Sequence, residues 1–397
     1  MKKNLLLLTA LLFLPLSMSA QQTNDLSAGE ETLFEKVTKI EKKQDYFHFL
    51  LNMNNSFDLN FQNGAGERGL QQSKFNMRQL RIEAKGNVNE WLSYRWRQRL
   101  NRNNTPAADG LDNMPSSSID VAGIGVKVND KFSMFLGKQC AAYGGIEFDL
   151  NPIEIYEYSD MVEYMSNFLT GANFQFQLNP NHQLQLQILD SRSASMEDMY
   201  GAGFDHATIP LVYTANWNGS FFNGAFNTRW SYSIMNQAKG ARSHYIALGN
   251  ELNLGKFNGF LDVMYMREGI DREGIVSSAV GKIGGHLRDA RYLSFVMKAQ
   301  YKFSPGWNAF VEGTLENEGL SHKNVSGVND YEKGTYRNAY GYMCGIEYYP
   351  LKNSNLHFFL TYVGRKYNYT DRAKAFGADD YNTNRISLGY IWQLPMF

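Results

Sequence analysis

The sequence contains 397 residues, with 39 basic and 39 acidic side chains, so its formal net charge at pH 7 is zero. This balance excludes a chain-wide field that would select nucleic acid or an anionic surface, and only two cysteines exclude a disulfide framework. Aromatic residues make up 14% of the chain, as in barrels that carry aromatic girdles at a membrane interface.

Residues 1–20 have the pattern of an export signal. Lys2 and Lys3 precede an apolar run at 5–16, and small residues follow it. A charged start, a short apolar run and a small-residue zone predict a signal peptide that is cleaved near Gln21. The apolar run is too short to be a membrane-spanning helix, and no later stretch is long enough either.

From Tyr46 onward, apolar side chains recur at every second position, which is the period of a β-strand. In the stretch 91–100 (WLSYRWRQRL), one face is aromatic and aliphatic, and the other carries Arg95, Arg97 and Arg99. A strand of about ten residues with these two faces is typical of a membrane barrel, whose outside meets lipid and whose inside meets water. The pattern predicts sixteen strands, at 46–61, 75–88, 91–100, 119–128, 132–139, 168–178, 182–190, 209–217, 222–234, 244–254, 258–267, 293–303, 307–315, 337–348, 356–363 and 385–394.

The predicted connections alternate between short turns and long loops. Turn-forming residues occupy seven short links, at 87–90, 129–130, 179–181, 218–219, 255–256, 304–306 and 350–353. Longer polar segments lie between them, for example at 101–118, 140–167, 268–292 and 364–384. Outer-membrane barrels have short periplasmic turns and longer outer loops. We therefore expect an all-β, transmembrane antiparallel barrel over 45–397, preceded by a short helical or disordered periplasmic segment at 21–44.

Five basic side chains are predicted to line one strip of the barrel interior. They share inward positions on the second and third strands: Arg81, Lys85, Arg95, Arg97 and Arg99. Guanidinium groups along a narrow aqueous path attract anions, so one interpretation is an anion path. The other interpretation is that these side chains pair with Glu83 or with acids on an inward loop, and only stiffen the wall.

The segment 140–167 is the candidate constriction loop. Its acids and tyrosines include Glu147, Asp149, Glu154, Tyr156, Glu157, Tyr158, Asp160 and Glu163. If the segment folded into the lumen, its carboxylates would face the arginines and set up a transverse field. If it formed an external lid, they would be solvated. The tyrosines could stack on sugars or pack the loop against the wall.

The sequence contains no recognisable catalytic or metal-binding pattern. The seven histidines are scattered, and none is paired at metal-ligand spacing with a nearby acid or thiol. The glycine-rich phrase at 281–285 lacks the strand-to-helix setting of a phosphate cradle. We therefore predict no enzyme, no cofactor and no metal site, and we expect Cys140 and Cys344 to be free thiols.

Two stretches, 75–91 and 119–147, resemble the phosphate-selective porin family, the porin O and P group. The shared features are an Arg-rich second strand, a turn before a Trp-Ser-Tyr-like third strand, and a strand ending in Gly137-Lys138-Gln139. The resemblance implies a sixteen-stranded outer-membrane porin, usually a homotrimer.

The predicted function is passive diffusion of small hydrophilic solutes across a bacterial outer membrane, with a mild preference for phosphate-like anions. The expected partners are these solutes, outer-membrane lipid and two further copies of the chain; nucleic acid is not expected. Two alternatives stay open at this point. One is a substrate-specific channel for sugars, and the other is a structural barrel with a plugged lumen.

Overall fold

The computed structural model describes residues 47–100, 118–192, 195–281, 286–325 and 329–396. The predicted signal peptide at 1–20 and the segment at 21–44 lie outside these residues. Within the described part, sixteen strands form one closed antiparallel barrel, in which the first strand pairs with the last. The predicted fold class is confirmed.

Every predicted strand has a counterpart in the barrel. The bounds are β1 His48–Gly64, β2 Glu67–Asn87, β3 Leu92–Arg99, β4 Ile119–Asn129, β5 Phe132–Cys140, β6 Phe168–Asn179, β7 His182–Asp190, β8 Leu211–Phe221, β9 Phe226–Ala238, β10 Ala241–Leu254, β11 Phe257–Ile270, β12 Arg288–Ser304, β13 Trp307–Leu320, β16 Gly334–Tyr348, β17 His357–Tyr369 and β18 Tyr381–Pro395. A separate pair of short strands consists of β14 Asn324–Val325 and β15 Asp330–Tyr331.

Short helices lie in the connections between strands. Their bounds are Ile146–Asp149, Asp160–Tyr164, Met196–Tyr200, Ile275–Ala279 and Asp371–Lys374, with a 3-10 turn at Pro152–Glu154. Among the described residues, no helix has both the length and the apolar character needed to cross a membrane.

Alternation of side chains explains why these residues form barrel strands. In β1, Asn54, Ser56 and Asp58 point into the barrel and are buried, whereas Asn55 and Phe57 between them face outward. Opposite residues of an antiparallel pair share a face, so Phe57 of β1 lies beside Phe75 of β2, with ring centroids 5.0 Å apart. Phe75 is 88% exposed on the outer surface, where lipid would cover it.

The seven short connections lie together at one end of the barrel, here called the short-turn end, and the other eight lie at the loop end. One predicted turn is wrong. Residues 218–219 belong to β8, and the chain turns at 222–225, so β9 begins at Phe226 and not at 222. The stretch 218–224 contains two Asn-Gly pairs, and the chain turns at the second, where Asn223 and Gly224 have φ values of 57° and 86°.

The strict alternation of short and long connections is also wrong at two places on the loop end. β1 continues to Gly64 and β2 begins at Glu67, so these two strands meet at the two-residue turn 65–66. β9 and β10 meet in the same way at 239–240. Strands that extend beyond the bilayer no longer need an apolar face, so their polar ends resemble loops in the sequence.

Two loop-end connections enter the barrel and pack against its inner wall. They are the inward segment (141–167) and the second inward segment (271–281 with 286–287), and Arg272 of the second donates to Ser166 Oγ of the first at 2.9 Å. One buried apolar cluster joins both segments to the wall, and it includes Tyr143, Phe148, Met161, Ile275, Val276, Tyr245, Met264 and Val296. The inner face of β10–β12 is therefore partly apolar where the pattern predicted a polar lumen, because the segments exclude water from it.

Candidate functional site

The predicted basic side chains lie together on the inner faces of β2 and β3. Antiparallel pairing places three pairs directly opposite each other: Arg81 with Arg99, Glu83 with Arg97, and Lys85 with Arg95. Opposite residues in such a ladder share one face of the sheet. These six residues are called the basic wall below.

One carboxylate, absent from the sequence-based prediction, organises the basic wall. Asp120 is fully buried on β4, beside a register shift between β3 and β4. Its carboxylate oxygens lie within ion-pair distance of three guanidinium groups, at 2.8 Å from Arg99, 3.2 Å from Arg81 and 3.4 Å from Arg97. Asp120 therefore holds neighbouring like charges together that would otherwise repel each other.

The second carboxylate of this wall is Glu83, whose Oε1 lies 2.8 Å from Nε of Arg95. Five cations against two carboxylates leave three positive charges in excess on this wall. The side chains of Arg95 and Arg99 stay 44% and 43% exposed, so both reach open lumen. Pairing with Glu83, one of the two open interpretations, is thus present but does not neutralise the wall.

An aromatic ring also supports this wall. The guanidinium carbons of Arg97 and Arg99 lie 5.3 and 5.6 Å from the ring centroid of Phe168, the first residue of β6. A cation at this distance over an aromatic face is attracted by the ring quadrupole. Nothing in the spacing of the sequence identified Phe168, because it lies two strands beyond β4 in the barrel.

The inward segment is held by a carboxylate on the far side of the barrel. Asp262 lies on β11, eight strands from β3 in the sixteen-strand ring, and accepts hydrogen bonds from the backbone N–H groups of Ile146 and Glu147 at 2.8 and 2.7 Å. These groups begin a short helix and have no partner within it. Within the segment, Glu147 accepts from both N and Oγ of Ser159 at 2.6 Å. Burial raises the pKa of Glu147 well above its ordinary value, and the charge of Glu312 adds to the shift.

A second carboxylate binds the next helix of the inward segment in the same way. Glu316 of β13 accepts from the backbone N–H groups of Asp160 and Met161, both at 3.0 Å. The Asp160 side chain accepts from Arg337 and from Arg365. Both arginines have another carboxylate partner on the wall, since Arg337 also binds Glu318 and Arg365 also binds Glu316. The helix is therefore clamped by a buried, hydrogen-bonded ionic network.

Three carboxylates of the inward segment pair with arginines other than those of the basic wall, so they do not form the direct opposition that one of the two interpretations implied. Their partners are arginines on other strands: Asp149 pairs with Arg229, Asp160 with Arg337 and Arg365, and Glu157 with Arg385. These arginines are scattered along the sequence, and only barrel closure brings them to the segment. Glu163 is the exception, because it is exposed and close enough to Arg99 to interact with it electrostatically.

The tyrosines of the segment pack against the wall. Tyr156 donates to Glu347 Oε1 at 2.7 Å, and its ring stacks on Phe310 with centroids 5.1 Å apart. The carbonyl of Tyr158 accepts from Arg365 at 3.0 Å. The tyrosines could have stacked on sugars or packed the segment against the wall, and these contacts are those expected from packing. Glu154 is half-buried and lines the cavity described next.

A cavity of about 620 Å³ lies between the basic wall, the inward segment and the inner faces of β6 and β7. Its lining extends to His48 and Gln393, at the short-turn end of the barrel, so the cavity reaches that rim. The charged and amide side chains that line it include Lys85, Arg95, Arg97, Arg229, Asp149, Gln175, Gln183 and Gln185. This arrangement suits a polar, water-filled path with one cationic side.

Neither a metal centre nor a disulfide occurs in the described part of the chain. No three His, Cys, Asp or Glu side chains there come together in an arrangement that could hold a metal ion. Cys140 and Cys344 are both free thiols. Cys140 donates to Asn167 Oδ1 at 3.0 Å, whereas Cys344 is exposed on the outer face of β16.

A closed barrel with an apolar outside, a segment folded into it and a polar lumen is the architecture of an outer-membrane diffusion channel. The sequence matches the family Phosphate-selective porin O and P over residues 49–394. The chain belongs to this family, which confirms the resemblance and places the protein in the bacterial outer membrane. The short-turn end therefore faces the periplasm.

Solved structures show the same fold at low sequence identity. The outer membrane channel DcaP of Acinetobacter baumannii has a TM-score of 0.55 at 12% identity, covering 89% of this chain and 99% of its own. An anion-selective porin from Comamonas acidovorans has a TM-score of 0.55 at 10% identity, covering 88% and 100%. OmpF of Salmonella typhi has a TM-score of 0.55 at 15% identity, covering 89% and 99%. No curated protein matches the sequence.

Proposed function

We propose that this porin passes small hydrophilic solutes by passive diffusion and prefers anions. The observation that carries the proposal is the basic wall, with three positive charges in excess and with Arg95 and Arg99 44% and 43% exposed. Guanidinium groups stay protonated at every accessible pH. A row of such groups beside an aqueous path attracts anions and exchanges them between weak sites.

The position of the inward segment supports the same path. Its helices are bound to Asp262 and Glu316, and three of its acids are bound to arginines of other strands. The helices of the segment therefore lie against β11 and β13, whereas its 3-10 turn accepts from Gln79 of β2 at 2.6 Å and from Asn54 of β1 at 3.1 Å. The basic wall borders the cavity that is left open. Solutes crossing the barrel would pass beside these cations.

We also infer that the activity is transport and not catalysis, and that the protein is a homotrimer. The charged groups at the cavity are mainly cations paired with carboxylates, which does not resemble a nucleophile with its base. One solved structure with the same fold, an outer membrane protein of Vibrio cholerae, is described as a trimer form, with a TM-score of 0.51 at 10% identity. Mass measurement of the native detergent complex tests the trimer.

The buried apolar cluster inside the barrel favours a second candidate, a barrel whose lumen is closed. The cluster joins both inward segments to the wall, so a part of the cross-section is sealed. A closed barrel would give no ion current in a planar bilayer, whereas the proposed porin gives steady single-channel steps.

The test of the anion preference replaces Arg95, Arg97 and Arg99 together with glutamine. We expect the reversal potential in a KCl gradient to shift towards cation selectivity, most strongly at low salt, where screening is weakest. Arg192→Gln is the matched control, because that arginine is 56% exposed at the loop end and pairs with its near neighbour Asp190. An unchanged reversal potential in the triple variant, with or without a rise in conductance, would show that these arginines are structural.

A further inference from the structure

We propose that the cavity beside the basic wall binds a small sugar or polyol that carries one phosphate or carboxylate group. This inference rests on the proposed anion preference and adds a recognition surface for hydroxyl groups to it. The volume of about 620 Å³ falls within the range of roughly 300–1,000 Å³ that is usual for small-molecule sites.

One side of the cavity suits the anionic group. Lys85, Arg95 and Arg97 all line it, and Lys85 stands directly opposite Arg95 across β2 and β3. Arginine presents a planar fork of donors that fits the oxygens of a phosphate or carboxylate, and lysine adds a mobile charge. Inorganic phosphate alone would use only this side.

An aromatic ring lies next to these cations. Phe135 of β5 lines the cavity, and its ring covers Gly123 of β4: a Cβ atom there would come within 2.6 and 2.8 Å of two ring atoms. The missing side chain of Gly123 lets the ring lie close to the wall. β4 and β5 separate the basic wall from β6, so the ring stands between the cations and the amides of β6 and β7. An aromatic face packs well against the C–H groups of a sugar ring.

The other side of the cavity is a ladder of amides. Asn173 donates to Gln185 Oε1 at 3.1 Å, and Gln185 donates to Gln183 Oε1 at 2.8 Å. All three line the cavity and are more than 90% buried. Oδ1 of Asn173 is buried without a hydrogen-bond partner in the described structure.

Hydroxyl groups match this ladder because each can donate one hydrogen bond and accept others. A sugar can bind these amides through its hydroxyl groups while its anionic end stays at the basic wall, whereas inorganic phosphate has no carbon skeleton that would let it contact both sides at once. The basic wall, the ring and the amides therefore select a hydroxylated solute with a single anionic end more strongly than either inorganic phosphate or a neutral sugar.

The test measures how solutes block the KCl current of the purified full-length protein in planar bilayers. The probes are glucose 6-phosphate, glucuronate, inorganic phosphate and glucose. We expect glucose 6-phosphate or glucuronate to block at a lower concentration than both phosphate and glucose. The relative potency of the first two then shows whether the anionic group is a phosphate or a carboxylate.

Variants separate the hydroxyl side from the anionic side. Gln185→Leu and Phe135→Leu should each raise the half-blocking concentration of the sugar anions by roughly two- to tenfold, as expected for the loss of one or two weak contacts, and should leave block by phosphate unchanged. Gln300→Leu is the matched control, since Gln300 faces inward on β12 but lies outside the cavity lining. Normal heat-modifiable gel migration verifies that each variant is folded.

Two outcomes would overturn this inference. One is a block by the sugar anions no stronger than that by phosphate. The other is an unchanged half-blocking concentration in both folded variants. Failure of the underlying anion preference is visible separately, as a cation-selective reversal potential of the wild type in KCl alone.

Discussion

Replacing Asp160 with asparagine should loosen the inward segment without unfolding the barrel. The carboxylate of Asp160 accepts from Arg337 and Arg365, and all three side chains are at most 9% exposed. Hydrogen bonds to charged groups contribute about 1.5–3 kcal/mol each, and breaking a buried ion pair costs about 3–5 kcal/mol. Because both arginines keep a second carboxylate partner, the lower value of about 3 kcal/mol applies, which raises the population of the displaced segment roughly 150-fold.

The assay is single-channel recording, in which Asp160→Asn channels should show more frequent current fluctuations and substates of higher conductance. Asp205→Asn is the control, because Asp205 forms an exposed pair with Lys239 at 3.7 Å and such pairs contribute at most about 1 kcal/mol. A folded Asp160→Asn protein with the conductance and noise of the wild type would refute the view that this network holds the segment in place.

Three further predictions follow from contacts described above or from the local backbone. Mass spectra of unreduced protein should contain no peptide pair linking Cys140 and Cys344; a linked pair would contradict the structure. Gly137→Ala should lower the free energy of unfolding of the barrel by about 1–3 kcal/mol more than Gly255→Ala does. The reason is that φ at Gly137 is 125° and a Cβ atom there would lie 2.3 Å from a backbone oxygen, whereas the space beside Gly255 is open. Equal losses in the two variants would contradict the pairing of β4 with β5 at Gly137. Burial raises the pKa of Glu273 above its ordinary 4.5, so its contribution to stability is greatest below pH 4.5 and falls as the pH rises through the folded pKa. Glu273→Gln should therefore flatten the decline of melting temperature with rising pH. An unaltered slope would show that Glu273 does not cause that decline.

Strand identity could be predicted from the sequence because it depends on a local period. In β7, three glutamines alternate with aliphatic residues, and the structure places the glutamines inside the barrel and the aliphatic residues outside. The opposition of arginines on β2 and β3 follows from the same parity and from the turn between the strands. The Asn-Gly choice at β8 could not be predicted, since both pairs satisfy the local rule and only pairing with β7 and β9 decides between them.

The wall residues that bind the inward segment could not be predicted from the sequence, because they lie far from it along the chain. Asp160 and its two arginines are separated by 177 and 205 residues in the chain. Asp120 was overlooked for a related reason, because its three arginine contacts depend on a register shift next to β3. Amino-acid type and spacing identified which groups are charged, but closure of the barrel decides which of them meet.

The apolar cluster inside the barrel divides the inner wall into two regimes of mutational tolerance. Met264 is fully buried among the inward segments, and truncating such a side chain to alanine costs about 2–5 kcal/mol in well-packed cores. Lys85 borders the open cavity instead, and substitutions at such partly exposed sites usually change stability by about 0.5 kcal/mol or less. Substitutions on β2 and β3 can therefore change the ion selectivity at little cost in stability, whereas substitutions on the opposite wall, β10–β12, destabilise the fold.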